Sequence, residues 1–239
     1  MTTNNILPLP FDWCSILAGK VTLEDNGTYN VAAFDMAKYP ITNAQFQTFA
    51  KASDGYANTA WWDYSPMARR WRAQNDLWET GFPGDDLPRT CVSWYEAAAF
   101  CRWLSAKTGE NILLPSELEW QRAAQGDDGR KYPWGNTFEI DRCNTSESGI
   151  KVATSVTKYL DGASPYGVMD LSGNIAEWCV NGSYTPGEDD VASFAGGEAR
   201  AMRGGSYGLS QFSALAVFRG FNFPADRYDF LGFRIVRHP

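Results

Sequence analysis

RGGSYGLSQFSALAVFRGFNFPADRYDFLGFR occupies residues 203–234. It alternates aromatics with Gly, Ser, Asn and Asp, and it contains no Lys, Glu, Met or Trp. Its two ends read as scaffold. Gly204-Gly205 permits close backbone approach or a positive φ. Arg203 and Arg234 are expected to be anchored by carboxylates or carbonyls, because a buried arginine must be paired. Ala214–Ala216, Arg219 and Gly232–Val236 read as framework as well. The runs between them have the composition of antibody loops, with rigid aromatics for contact area and small polar residues for adaptable hydrogen bonds. Two readings stay open at this point. The eight aromatics from Tyr207 to Phe233 could fill a core, or most of Phe221, Phe223, Tyr228 and Phe230 could be exposed as a binding surface. Gly and Asp interrupt both runs and neither keeps one clean period, which favours the surface.

The 239 residues carry 44% apolar and 15% aromatic side chains, enough for a sizeable core. Many of the ten tryptophans are expected at half-buried sites, where the indole N–H finds a partner. A net charge of −7 disfavours nucleic acid and anionic membranes as partners. The first residues lack the basic start and apolar run of a signal peptide, so the chain reads as cytoplasmic. Five scattered cysteines without CxxC spacing read as free, mostly buried thiols. The single histidine, His238, speaks against a multi-histidine metal site and leaves nucleophilic catalysis without a credible base. No P-loop or dinucleotide fingerprint is present. The acidic pairs Asp85-Asp86, Asp189-Asp190 and Glu117 with Glu119 read as solvated surface.

Three helix starts are legible as capping boxes: Thr42 with Gln45, Ser93 with Glu96, and Ser116 with Glu119. The second leads into a helical pattern that Gly109 stops. After Gly126 long helices vanish and Gly, Pro, Asn, Asp and Ser punctuate short apolar runs. Strands are expected at Tyr29–Phe34, Ala201–Gly204, Ala214–Arg219 and Phe233–Val236. The fold class is α+β: a few helices, short antiparallel strands and many ordered loops in one domain over residues 1–239.

Seven segments in order from residue 39 to 234 resemble the formylglycine-generating-enzyme (sulfatase-modifying factor) family. They are Tyr39–Phe46, Val92–Ala97, Leu114–Trp120, Tyr132-Pro133-Trp134-Gly135, Gly173-Asn174-Ile175-Ala176-Glu177-Trp178, Arg203–Tyr207 and Gly232-Phe233-Arg234. The resemblance implies a variant of the C-type lectin-like fold. The family's copper oxidases use a cysteine pair shortly after the RGGS-type motif. Here no cysteine occurs from residue 180 to the end, and copper(I) needs soft thiolates. The histidine cluster of the iron-dependent members is also missing. The chain is therefore expected not to be an enzyme and to require no cofactor. Calcium is the one family property left as a candidate, with Asp170, Gly173, Ile175 and Glu177 supplying hard oxygen ligands by that pattern.

Residues 203–234 resemble the variable region of the variable proteins of diversity-generating retroelements, which use the same scaffold as a display surface. Their variable positions descend from AAC codons whose adenines are randomised. An NNC codon cannot give Lys, Glu, Gln, Met or Trp, and from Tyr207 to Phe230 only Gln211 lies outside the permitted set. The implied function is non-catalytic binding of diverse ligands by a monomer through a hypervariable surface. The candidate ligand-binding residues are Tyr207, Gly208, Leu209, Ser210, Phe212, Ser213, Phe218, Gly220, Phe221, Asn222, Phe223, Tyr228, Asp229 and Phe230. Several spread aromatics suit a protein ligand better than a small molecule. A formylglycine-generating oxidase and a non-variable regulatory member of the family are the alternatives.

Overall fold

The computed structural model describes residues 2–23, 27–182 and 197–239. Among these described residues the α-helices all precede residue 126: α1 (Thr3–Ile6), α2 (Asn43–Lys51), α3 (Pro66–Gln74), α4 (Trp94–Thr108) and α5 (Glu117–Gln125). The strands are β1 (Trp13–Ile16), β2 (Gly19–Leu23), β3 (Gly27–Val31), β4 (Phe34–Ala37), β5 (Asn111–Leu113), β6 (Ala176–Gly182), β7 (Arg200–Arg203), β8 (Arg219–Asn222), β9 (Leu231–Gly232) and β10 (Val236–His238). One sheet has the order β1-β4-β10-β5, so the last strand lies between two early ones. A second has the order β8-β7-β6-β9, and β2 pairs with β3 as a hairpin. The pairings are antiparallel except for β6 with β9, which is parallel. Among the described residues no helix is long and apolar enough to cross a membrane.

All three capping boxes form. The Thr42, Ser93 and Ser116 hydroxyls accept from the backbone N–H three residues on, and Gln45, Glu96 and Glu119 reach back to the cap. Gly109 ends α4 in the left-handed conformation, with φ 75°. The strand expectations hold less well. Tyr29–Phe34 is divided between β3 and β4. Ala214–Arg219 is not a strand: Ala214 and Ala216 are buried in a run of turns, where the Phe218 N–H donates to the Leu215 carbonyl, and β8 starts only at Arg219. Phe233–Val236 joins the sheet only at its last residue.

The tryptophans correct the half-buried expectation. Trp62, Trp71, Trp94, Trp103, Trp120 and Trp178 are buried. The backbone or a buried carboxylate supplies acceptors inside the core. Trp94 donates to the Cys179 carbonyl at 2.9 Å, Trp178 to the Val92 carbonyl at 3.0 Å, and Trp120 to Glu177 Oε2 at 2.8 Å. Around α2 and α4 the aromatic core gathers Phe46, Phe49, Phe100, Trp103 and Phe233. A second cluster packs Trp120 and Leu118 of α5 on Ile16, Phe34, Met36 and Val236. The cysteines are free, with Cys101, Cys143 and Cys179 buried as expected, and Cys14 and Cys91 half-buried.

Candidate ligand-binding face

Three buried glutamates hold the arginines that punctuate residues 203–234. Glu96, the reciprocal partner of the α4 cap, accepts both Arg227 Nε and Nη2, at 2.9 and 2.7 Å. The same carboxylate takes the Ser93 N–H at 2.8 Å and the Tyr56 hydroxyl at 3.0 Å. Glu117, in the first turn of α5, accepts Arg219 at 2.6 and 2.8 Å and has Arg203 at 3.6 Å. Arg203 also donates to the Ala216 carbonyl at 2.8 Å, and burial holds its guanidinium down to about 10. Glu177 of β6 accepts Arg234 twice, at 2.6 Å each. Arg234 further donates to the Ala37 and Met169 carbonyls. Arg203 and Arg234 are thus anchored as their motifs predict. Glu117 is a correction: it is wholly buried rather than solvated, because two arginines compensate its charge. Asp189 and Asp190 lie outside the described residues.

Glycines set the backbone beside these anchors. Gly205 has φ 70°, and a Cβ there would meet the Ser213 carbonyl oxygen at 2.5 Å. Gly173 has φ 76°, and a Cβ would meet the Asn144 carbonyl oxygen at 2.3 Å. The Tyr207 N–H donates to the Asn174 carbonyl at 3.0 Å, tying the start of the candidate segment to the GNIAEW loop.

Between anchors the side chains turn outward. None of the fourteen candidates is buried. Phe212 is 70% exposed, Phe223 62%, Phe221 49%, Tyr228 40% and Leu209 39%. Gly208 and Asp229 are exposed as well, and Tyr207, Ser210, Ser213, Phe218, Gly220, Asn222 and Phe230 are half-buried. By contrast Arg203–Ser206, Ala214, Ala216 and Leu231–Val236 are buried. Three of the four aromatics that decided between core and surface are therefore outside. Phe230 is the intermediate case, packing on the core while Tyr228 stacks on it at 5.0 Å.

The candidates do not form one continuous cleft. Tyr207, Gly208, Leu209 and Phe230 line a cleft with Ser206. Burial, together with the nearby Asp229 carboxylate, pushes Tyr207 up to about 12. Phe212 instead lines a separate hollow with Lys131, Tyr132 and Phe138. Gly220, Phe221 and Asn222 lie on β8, an edge strand. Sequence reasoning missed the loop that borders the cleft from outside the segment. Phe82 meets the Tyr207 ring edge-on at 5.4 Å, a Cβ at Gly81 would touch Asp229 Cβ at 2.7 Å, and the Cys91 N–H donates to the Tyr228 carbonyl at 2.9 Å. It also missed Arg227 as an anchor. Nothing in the local pattern marks this loop; the double duty of Glu96 emerges only when the chain is folded.

The calcium candidates do not fit that ion. Glu177 spends both oxygens on Arg234 and one also on Trp120, so a cation already occupies its coordination. Asp170, at φ 56°, accepts from Asn174 Nδ2 at 3.0 Å, and burial raises it to about 7. Gly173 and Ile175 carry carbonyl oxygens of the kind calcium accepts, but the Glu177 carboxylate that the pattern sets beside them is committed to Arg234. The residues do not fit an iron centre either: His238 is bonded to Glu119, and no group of three or more His, Cys, Asp and Glu is placed to hold a metal among the described residues.

Comparison with known proteins places this geometry. Hercynine oxygenase of Mycobacterium tuberculosis is 30% identical over 234 residues, covering 87% of this chain and 53% of its own length. The inactive C-alpha-formylglycine-generating enzyme 2 of Mus musculus is 32% identical over 195 residues, covering 73% of this chain and 56% of its own. The chain thus spans about half the length of the curated relatives it matches. Treponema denticola variable protein 1 superposes with a TM-score of 0.71 at 22% identity, covering 96% of this chain and 95% of that one. PvdO from Pseudomonas aeruginosa gives 0.73 at 19% identity, with 95% and 94% covered. These likenesses show the fold, the C-type lectin-like one. The expectation that the chain is not an enzyme is corrected by the hercynine oxygenases, which match 87% of it at 27–30% identity. That expectation rested on missing cysteines and histidines, which exclude particular ligand sets rather than catalysis as such. With residues 12–239 matching the sulfatase-modifying factor enzyme 1-like domain, the chain belongs to that family.

Proposed function

We propose that residues 207–230 form a diversified ligand-binding surface, as in the variable protein of a diversity-generating retroelement, and that its ligand is a protein. One observation carries the reading: candidate positions are exposed or half-buried without exception, while the RGGS and GFR motifs that bracket them are buried. A surface meant to change must stay out of the core, and its framework must be held independently of it. The exposed aromatics supply contact area of the kind that marks interaction sites. The fold shared with the Treponema variable protein supports the reading. The test is to sequence the DNA beside the gene. A near-copy of the segment encoding residues 203–234 that differs at adenines, next to a reverse transcriptase, is the expected result; absence of both overturns it.

The hercynine oxygenases favour a second reading, an oxidative activity of this domain. Oxygen uptake by the protein that depends on added hercynine would establish it. Uptake indifferent to hercynine would remove it.

A further inference from the structure

Within residues 207–230 the charges left without an ion-pair partner have one sign. Both arginines there turn inward, Arg219 onto Glu117 and Arg227 onto Glu96. Neither Asp226 nor Asp229 has a cationic partner among the described residues. Asp229 is exposed, its charge acts on Tyr207, and it precedes Phe230 at the edge of the cleft lined by Ser206, Tyr207, Gly208, Leu209 and Phe230. Rings back this cleft on both sides: Phe82 meets Tyr207 edge-on at 5.4 Å, and Tyr228 stacks on Phe230 with 10° between the planes.

Aromatic walls and an adjoining carboxylate are the two groups that recognise a cationic side chain. The rings give apolar surface for the methylene stem, and the carboxylate adds a charge-assisted hydrogen bond to the head group. An apolar group entering the same cleft would strip water from Asp229 and return nothing to it. The chain's net charge of −7 draws a basic partner in the same direction. Resting on the ligand-binding reading above, we propose that this cleft is a subsite for an arginine or lysine side chain of the partner protein. The side chain enters between Tyr207 and Phe230, with its head group on Asp229. The ligand surface is accordingly a basic one, with Phe221 and Phe223 making the apolar contacts around the subsite.

The test is an NMR titration of the full chain with N-acetyl-arginine amide and with its neutral isostere N-acetyl-citrulline amide. Shifts from the arginine probe should centre on Tyr207, Leu209, Asp229 and Phe230, and the citrulline probe should bind about fivefold more weakly. Asp229→Asn should abolish that preference, while Tyr207→Phe keeps the ring and most of the binding. Equal binding of the two probes, a preference that survives Asp229→Asn, or silence of the arginine probe overturns the subsite. A third titration with N-acetyl-tyrosine amide separates this failure from that of the wider reading. Shifts at Phe221 and Phe223 with a silent arginine probe leave the binding surface standing without the cationic subsite. Silence of both probes removes the two together.

Discussion

Phe223→Ala and Phe233→Ala, ten positions apart in one segment, should differ in cost by a wide margin. Phe233 is wholly buried between Phe46 and Phe100, with ring centroids at 6.2 and 5.4 Å. Its truncation leaves a cavity in an aromatic cluster that α2, α4 and the chain around it hold rigidly, so the loss should be about 3–5 kcal/mol. Phe223 is 62% exposed, leaving roughly two fifths of a side chain of about 200 Å² covered. At about 25 cal/mol per Å² that sets a ceiling of about 2 kcal/mol. The unfolded chain covers part of the same area and no enclosed cavity forms, so the expected loss is about 1 kcal/mol. Urea unfolding followed by tryptophan fluorescence reads both, with a second probe to check that the transition is two-state. A loss of about 3 kcal/mol or more for Phe223→Ala would place that ring in the core and refute the division between display positions and framework.

Removing one member of the Glu177–Arg234 pair, as in Arg234→Met, should cost about 3–5 kcal/mol in the same assay, and Glu177→Leu added to it should recover part of the loss. Asp170 makes stability fall with rising pH. Its folded-state value near 7 lies above that of an unfolded aspartate, so its contribution is full below about pH 4 and disappears as pH rises through 7. Asp170→Asn should flatten this dependence between those limits in pH-dependent denaturation. Ser93→Ala removes the α4 cap and should cost about 1 kcal/mol by thermal or urea unfolding. Added calcium should leave the melting temperature unchanged, since Glu177 is committed to Arg234; a rise that grows with calcium concentration would show a site the geometry does not provide.

Local chemistry was readable from the residues. The capping boxes form because hydroxyl, backbone N–H and a carboxylate or amide oxygen at that spacing satisfy each other without outside help. The buried arginines followed from desolvation, which forces pairing wherever the partner lies. The partners themselves were not readable. Glu117 and Glu96 sit in ordinary acidic helix starts, and only the fold brings Arg219 and Arg227 to them across more than a hundred positions. Helix α3 escaped notice because MARRW offers little apolar periodicity, although Ser65 caps it and Pro66 opens it. The run at Ala214–Arg219 has the composition of a strand but lies in turns, because Ala216 donates to the Lys131 carbonyl instead of to a neighbouring strand. Exposure of the aromatics was legible from their company of Gly and Asp, but the loop carrying Gly81, Phe82 and Cys91 against them was not.

The arginines at 203, 219, 227 and 234 are each gripped by a glutamate that lies outside the segment they interrupt. The stretch is therefore fastened at intervals, like cloth held by rivets. Residues 204–218, 220–226 and 228–233 form separate spans: both ends of the first are held by Glu117, while the other two each run from one carboxylate to another. Because closing a longer loop between fixed ends costs only slowly more with length, one span can be exchanged or lengthened while its neighbours keep their shape. A foreign peptide grafted between Arg219 and Arg227 should be carried by the fold without disturbing the cleft at Tyr207, which makes the segment a set of interchangeable cassettes.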